Sequence, residues 1–333
     1  MTHYHLFQAY GVELEYMIVR QDSLDVFPVC DELIKAVAGD YESDYEQGDI
    51  AWSNELVLHL IELKTNGPVA SLSGLNRRLQ ENVTVINNLL QPLGGRLMPS
   101  AMHPWMDPRT ETRLWPHESG PIYQAYDRIF GCSGHGWANL QSLHLNLPFS
   151  GDEEFGKLHA AIRLVLPILH ALAASSPIVE GRRNGVLDNR LVYYRGCQAS
   201  IPSTAGMIIP EPVYTEADYD QAIFQPIRRD ISPLDPEGVL WHEFLNSRGA
   251  IARFSRGSIE IRLLDVQECP AADLAVASLV IDTLQALVNQ QWKPYKAQTR
   301  LPAESLVPIL EDCIAKADQA IITDRGYLEM FGL

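Results

Sequence analysis

Glu13 and Glu15, in Gly11-Val12-Glu13-Leu14-Glu15-Tyr16, stand two residues apart in an apolar, strand-like run. In a strand, residues i and i+2 share a face, so both carboxylates project together while Val12, Leu14, Tyr16 and Ile18 point away. Two acids on one face of a core strand call for a cation between them. Three further segments repeat the design. Glu62 and Lys64 oppose Ile61 and Leu63; Ser142, His144 and Asn146 oppose Leu143, Leu145 and Leu147; Ser258, Glu260 and Arg262 oppose Ile259, Ile261 and Leu263. A single such strand is better read as an antiparallel strand with one solvated face. Four of them, with polar faces dominated by Glu, His, Asn, Lys and Arg, describe a concave floor.

Carboxylates converging from separate strands suit Mg²⁺, with Mn²⁺ as the alternative, because both prefer oxygen ligands. Glu13, Glu15, Glu62 and Glu260 are the natural set. Glu55 has the opposite parity to Glu62 and would need a bulge to join them. His144 suits a metal or a phosphate oxygen; a core histidine satisfied by hydrogen bonds is the plain alternative. Arg262 is placed to clamp a phosphate or a substrate carboxylate, or else to form a structural pair with Glu260. Lys64 shares the face of Glu62 and suits a phosphate as well. Arg253, Arg256, Arg182, Arg183 and Arg190 add positive charge in segments expected to border the floor. Acid-bound metals ringed by arginines suit a nucleoside triphosphate. Neither GxxxxGK[ST] nor GxGxxG occurs, and the glycine-rich Gly131-Cys132-Ser133-Gly134-His135-Gly136 is not a GxSxG nucleophile elbow.

The elements that must position these residues read as follows. Strands are expected near 7–19, 56–65 and 96–101, around His144, and as a hairpin of 251–254 with 258–265. Helices are expected near 28–38, from a Ser71 cap to Leu90, and near 119–130. Another runs over 152–174, from a Ser150/Glu153 capping box and past Pro167. The last three lie near 215–229, 270–291 and 303–320. Residues 40–52, with five carboxylates between Asp40 and Asp49, read as a solvated loop. Long helices alternate with mostly antiparallel strands and no linker stands out. The expected class is α+β, with 1–333 as a single catalytic domain.

Composition narrows the function. The chain has 333 residues, 46% of them hydrophobic, as in ordinary globular proteins. A net charge of −16 argues against nucleic-acid binding. No run approaches the roughly 20 apolar residues of a membrane span, and Met1 to His5 lack a signal-peptide layout. Five scattered cysteines without a CxxC read as reduced thiols, which places the protein in the cytoplasm. Homo-oligomerisation stays open.

The ordered set of motifs resembles the glutamate–cysteine ligase superfamily, including the bacterial carboxylate–amine ligases. Gly11-x-Glu13-x-Glu15, Glu62-x-x-Thr65, His103-Pro104, His144-x-Asn146, Ser175-Ser176-Pro177 and Gly257-Ser258-Ile259-Glu260-Ile261-Arg262 match the family in order. Asn146 departs from it, since many members carry a second His there. The resemblance implies a curved, mostly antiparallel glutamine-synthetase-like sheet with helices packed on its outer face. It also implies ATP, Mg²⁺ and amide formation between small amino-acid substrates through an acyl phosphate, with glutamate as the acid and cysteine as the amine. By match, Glu13, Glu15, Glu62 and Glu260 become metal ligands, and His144 and Arg262 contact metal, phosphate or substrate. Arg253 joins them in stabilising the transferred charge. The alternatives are a guanidino-kinase-like phosphotransferase and a non-catalytic Mg-nucleotide binder.

Overall fold

Eight strands form one sheet in the computed structural model, which describes residues 4–240 and 242–333 (of His242, the backbone only). The strands are β1 (Gly11–Arg20), β2 (Asp44–Gln47), β3 (Ile50–Asn54), β4 (Leu60–Thr65), β5 (Gly95–Met98), β6 (Ser142–Pro148), β7 (Ala250–Arg253) and β8 (Ser258–Asp265). Their order is β2-β3-β4-β1-β6-β8-β7, every pairing is antiparallel, and β5 pairs with the far half of β1. The α+β class and the antiparallel sheet expected from the sequence are what the chain forms.

The apolar faces do the packing. Val12, Leu14, Ile18, Ile61, Leu63, Leu143, Leu145, Leu147, Ile259 and Ile261 are fully buried. They meet Leu79 and Ile86 of helix Leu75–Leu90, Leu158 and Ile162 of helix Gly151–Val165, and Ala277 and Leu284 of helix Pro270–Val288, in one cluster that runs from Val12 to Met330. Each such aliphatic side chain contributes about 1.5–3 kcal/mol on leaving water, so the helix-covered face holds the sheet. The opposite face of β1 turns apolar after Glu15. Met17 packs with Val57, Leu60, Met106 and Ala138 in a second, smaller cluster that closes the floor at that end.

Several local expectations are corrected. Residues 40–52 are no plain loop: β2 and β3 form a hairpin whose Tyr45, Ile50 and Trp52 reach the core, with Gly48 at φ +64° in its turn. The run 56–65 is not one strand. It leaves the ladder after Asn54, bridges Val57 to Leu114, and re-enters as β4 at Leu60. Ser71 does not cap its helix; Gly74 stands at the N-cap, and Ser71 Oγ accepts from Ser73 N. Nor does the Ser150/Glu153 box form. Glu154 accepts from Ser150 N at 2.8 Å, while Glu153 takes Lys157. Pro167 lies in a 3₁₀ turn, Leu166–Ile168, that divides the expected long helix from Leu169–Ala173.

Helices Gly151–Ala173 and Pro270–Val288 reach the length and mean hydropathy (1.3 and 1.6) of a span, closer than the sequence reading allowed. The first is largely buried in this core. The second carries Asp273 and Asp282.

Candidate active site

The register of β4, β1, β6 and β8 lays the polar side chains in rows. Glu13 faces Lys64 on one side and His144 on the other; Glu15 faces Glu62; Gly11 faces Asn146, which faces Glu260. A Cβ on Gly11 would come within 3.0 Å of that of Asn146, so this row needs glycine for its closeness. These residues form the floor of a cavity of about 870 Å³. Its aromatic wall includes Tyr123, Tyr126, Trp137, Tyr194 and Phe244.

Hydrogen bonds tie the floor together. Ser142 donates to Glu15 Oε2 from both N and Oγ at 2.7 Å, and its Oγ lies 2.8 Å from His144 Nε2. His144 Nδ1 lies 3.0 Å from Glu13 Oε2, and Asn146 Nδ2 donates to Glu13 Oε1 at 2.9 Å. Ser53 Oγ donates to Glu62 at 2.8 Å. Lys64 Nζ reaches Glu62 at 3.2 Å and Asp44 at 2.9 Å. On β8, Glu260 lies between Arg253 Nε at 2.6 Å and Arg262 Nε at 3.0 Å.

Charge differs across this floor. Burial, then the neighbouring Glu260, raises the pKa of Glu13; burial, then Glu13, raises that of Glu62. Glu55 is pushed well up by burial, Glu62 and Glu15. Burial also pushes Glu260 upward, yet Arg262 and Arg253 outweigh it and hold this carboxylate below its ordinary range. Lys64 loses to burial but gains more from Glu62 and Asp44, and stays charged. His144 is lowered, chiefly by burial, so its ring is neutral at neutral pH and able to ligate.

Two groups of ligand atoms converge, Glu13 with His144 and Glu260, and Glu15 with Glu62 and His144, with all atoms of a group within 4.8 Å of one another. Carboxylates plus one imidazole, with protons held where charges crowd, fit a divalent cation such as Mg²⁺ or Mn²⁺. Beside them, Arg253 Nη1 is buried without a hydrogen-bond partner, a free donor for an anion.

The structure brings together Glu13, Glu15, Glu55, Glu62, Lys64, His144, Arg253, Glu260 and Arg262 as cavity lining. No bulge is needed for Glu55, because the break after Asn54 resets parity. Arg190 also borders the cavity, but it is almost wholly buried, its Nε pairs with Asp265, and its terminal nitrogens reach the Arg262 carbonyl at 3.4 and 3.5 Å. It braces the strand that carries Arg262. Arg182 and Arg183 are exposed in a turn outside the cavity, contrary to expectation. His103 serves the backbone, accepting from Met106 N and lying 2.7 Å from the Leu24 carbonyl.

Sequence reasoning missed Asp265 and the aromatic wall. A bulge sets Arg262 and Leu263 together against His144 and carries Asp265 round to face Ser142. There Ser175 N and Ser176 Oγ donate to it at 2.8 and 3.1 Å. The adjacent leucines Leu263-Leu264 break the alternation and were a visible signal. The wall comes from segments with no shared periodicity.

The chain resembles known proteins along most of its length. The glutamate–cysteine ligase family 2 pattern matches residues 9–310. An uncharacterized protein of Archaeoglobus fulgidus is 33% identical over 97% of this chain and 88% of its own. A putative glutamate–cysteine ligase 2 of Salinispora tropica is 28% identical over 84% of this chain, which spans 65% of that relative. The fold matches a glutamate–cysteine ligase of Francisella tularensis solved with AMP (TM-score 0.57, 12% identity, 97% of this chain, 76% of that one). It also matches a bifunctional glutathione synthetase of Pasteurella multocida (TM-score 0.60, 16% identity, 92% of this chain), of which it spans only 41%. With the family pattern running over almost the whole sheet and its helices, this chain belongs to glutamate–cysteine ligase family 2, whose members are ligases that form carbon–nitrogen bonds.

Proposed function

We propose that the chain is an ATP-dependent carboxylate–amine ligase that activates glutamate and joins it to an amine, with cysteine the first candidate. The observation that carries this reading is the pair of ligand groups sharing His144, with the unpartnered Arg253 Nη1 beside them. The AMP in the Francisella ligase supports a nucleotide here. Glu13, Glu15, Glu62, Glu260 and His144 would hold Mg²⁺ or Mn²⁺, with Glu55 in reserve. Such an ion, when bound, supplies positive charge against phosphate oxygens.

The chain's own residues supply the rest. Arg253 and Arg262 face the charge that develops as the γ-phosphoryl moves to the acid's carboxylate oxygen, and ADP leaves. The amine then attacks the acyl carbon, phosphate leaves, and the nitrogen gives up a proton to form the amide. The aromatic wall limits water at the acyl phosphate, which would otherwise be hydrolysed. One core from Val12 to Met330 supports treating the whole chain as one catalytic unit.

The test is ADP release from Mg-ATP and glutamate with a panel of amines including cysteine, followed by product mass. Amine-dependent ADP with a γ-glutamyl product supports the reading. ADP with a phosphorylated small molecule and no amide replaces it with a phosphotransferase. Nucleotide binding without turnover across the panel replaces it with a non-catalytic binder.

A further inference from the structure

A second cavity, of about 940 Å³, lies behind the aromatic wall, and Gly136, Trp137 and Cys197 line both cavities. The side chain of His135, 7% exposed, lines this second cavity. Its hydrogen-bonding state follows from its neighbours. Asn139 Oδ1 accepts from His103 N at 2.6 Å and Nδ2 donates to His103 O at 3.0 Å, which fixes the amide's orientation. Asn139 Nδ2 also lies 3.0 Å from His135 Nδ1. An amide nitrogen only donates, so Nδ1 accepts, and in the neutral ring the proton sits on Nε2. Burial lowers the pKa of His135 and outweighs the opposing pull of Glu180 and Asp107.

That Nε2–H is buried without a hydrogen-bond partner. The nearest carboxylate oxygen, Glu180 Oε1, is 3.7 Å away, outside hydrogen-bond range. Glu180 is mostly exposed and is held at φ +51° on the cavity rim. A donor and an acceptor thus stand side by side, in electrostatic contact but too far apart for a full hydrogen bond.

Charge selects the ligand. Glu180 and Asp107 outnumber Arg109 around the cavity and disfavour an anion. A simple cation has nothing to offer the His135 donor. A neutral group with a carbonyl next to an N–H answers both. The walls favour a flat one: Trp105, Phe130, Trp137 and Tyr193 line the cavity, with the Tyr193 ring 4.7 Å from that of His135. We propose that this second cavity binds a neutral planar amide, a lactam ring or a carboxamide, whose carbonyl accepts from His135 Nε2 and whose N–H donates to Glu180.

Calorimetric titration of the full chain with uracil, nicotinamide and benzoate tests this. At least one of the two amides binds in the millimolar range or tighter, and benzoate does not. Which amide binds more tightly separates the lactam from the carboxamide. His135→Phe keeps a flat ring but removes the donor, and weakens binding at least roughly tenfold. Glu180→Lys does likewise, and as an exposed change it carries the test alone should the first variant fail to fold. Glu13→Gln, in the other cavity, leaves the affinity unchanged. The proposal is overturned by no amide binding, by benzoate binding equally well, by unchanged affinity in the folded variants, or by loss of binding in Glu13→Gln.

Discussion

Glu62 and Glu260 are buried carboxylates on one floor, 7% and 4% exposed, yet their surroundings push them in opposite directions. Glu62 faces Glu15 across the ladder and has one lysine to answer the crowd. Glu260 lies between two guanidinium groups. Burial acts upward on both; the neighbours decide the outcome. One end of the floor is therefore short of positive charge and suits an incoming cation. The other offers a carboxylate already balanced by two arginines to the ligand group it shares with Glu13 and His144, and aims its spare arginine donor at an anion.

The largest expected effect comes from breaking the balanced end. Glu260→Gln strands the buried Arg253 and leaves the cavity-lining Arg262 without its carboxylate, and urea unfolding should show a loss of up to roughly 3–5 kcal/mol together with lost turnover. A variant as stable as the parent would mean that the pair is not what holds the arginines. At the crowded end the sign for stability reverses. Glu62→Gln removes a charge that the ion-free fold disfavours, so stability should hold or rise while metal-dependent ADP release falls about a hundredfold or more. Destabilisation on the scale of Glu260→Gln would erase the contrast.

The third expectation concerns pH. Glu13, Glu55 and Glu62 bind protons more tightly folded than unfolded. The ion-free chain therefore loses stability as pH rises from the ordinary carboxylate range through their raised values. Glu260 works the other way, and its contribution is lost as pH falls. Added Mg²⁺ or Mn²⁺ competes with the protons on the first three, so it should raise the melting temperature by a few degrees at pH 8 and by less at pH 5. Equal shifts at both pH values would place the ion elsewhere. The smallest effect is expected from Ser142→Ala, which frees Glu15 and His144 from a shared hydroxyl. Metal affinity or turnover should drop about tenfold with the fold intact, as circular dichroism would confirm.

Much of this floor was legible because strand periodicity carries its own face assignment. Glu13, Glu15, Glu62, His144 and Glu260 needed only parity, and tertiary contacts did not disturb it. Legibility failed where the ladder is interrupted. Glu55 enters after a break that no two-residue period encodes. Asp265 arrives through a bulge, and Arg190 was readable as a charge but not as one already paired. The capping bonds failed for a related reason: Ser150 stands at its N-cap but gives its N–H to Glu154 rather than Glu153, and the chain turns into the earlier helix at Gly74, past Ser71.

The hairpin of β2 and β3 bears on how copies of this chain behave in a crowd. An open sheet ends in a row of backbone donors and acceptors that another chain's strand can pair with. At one border, β7 is buried throughout. At the other, β2 places Asp44 and Glu46 outward within four residues, and the chain's net charge is −16. Lys64 anchors Asp44, so part of this negative rim is held in place by a residue of the cavity floor. The acids between Asp40 and Asp49 thereby act as a repellent fringe, discouraging sheet-to-sheet association in concentrated solution.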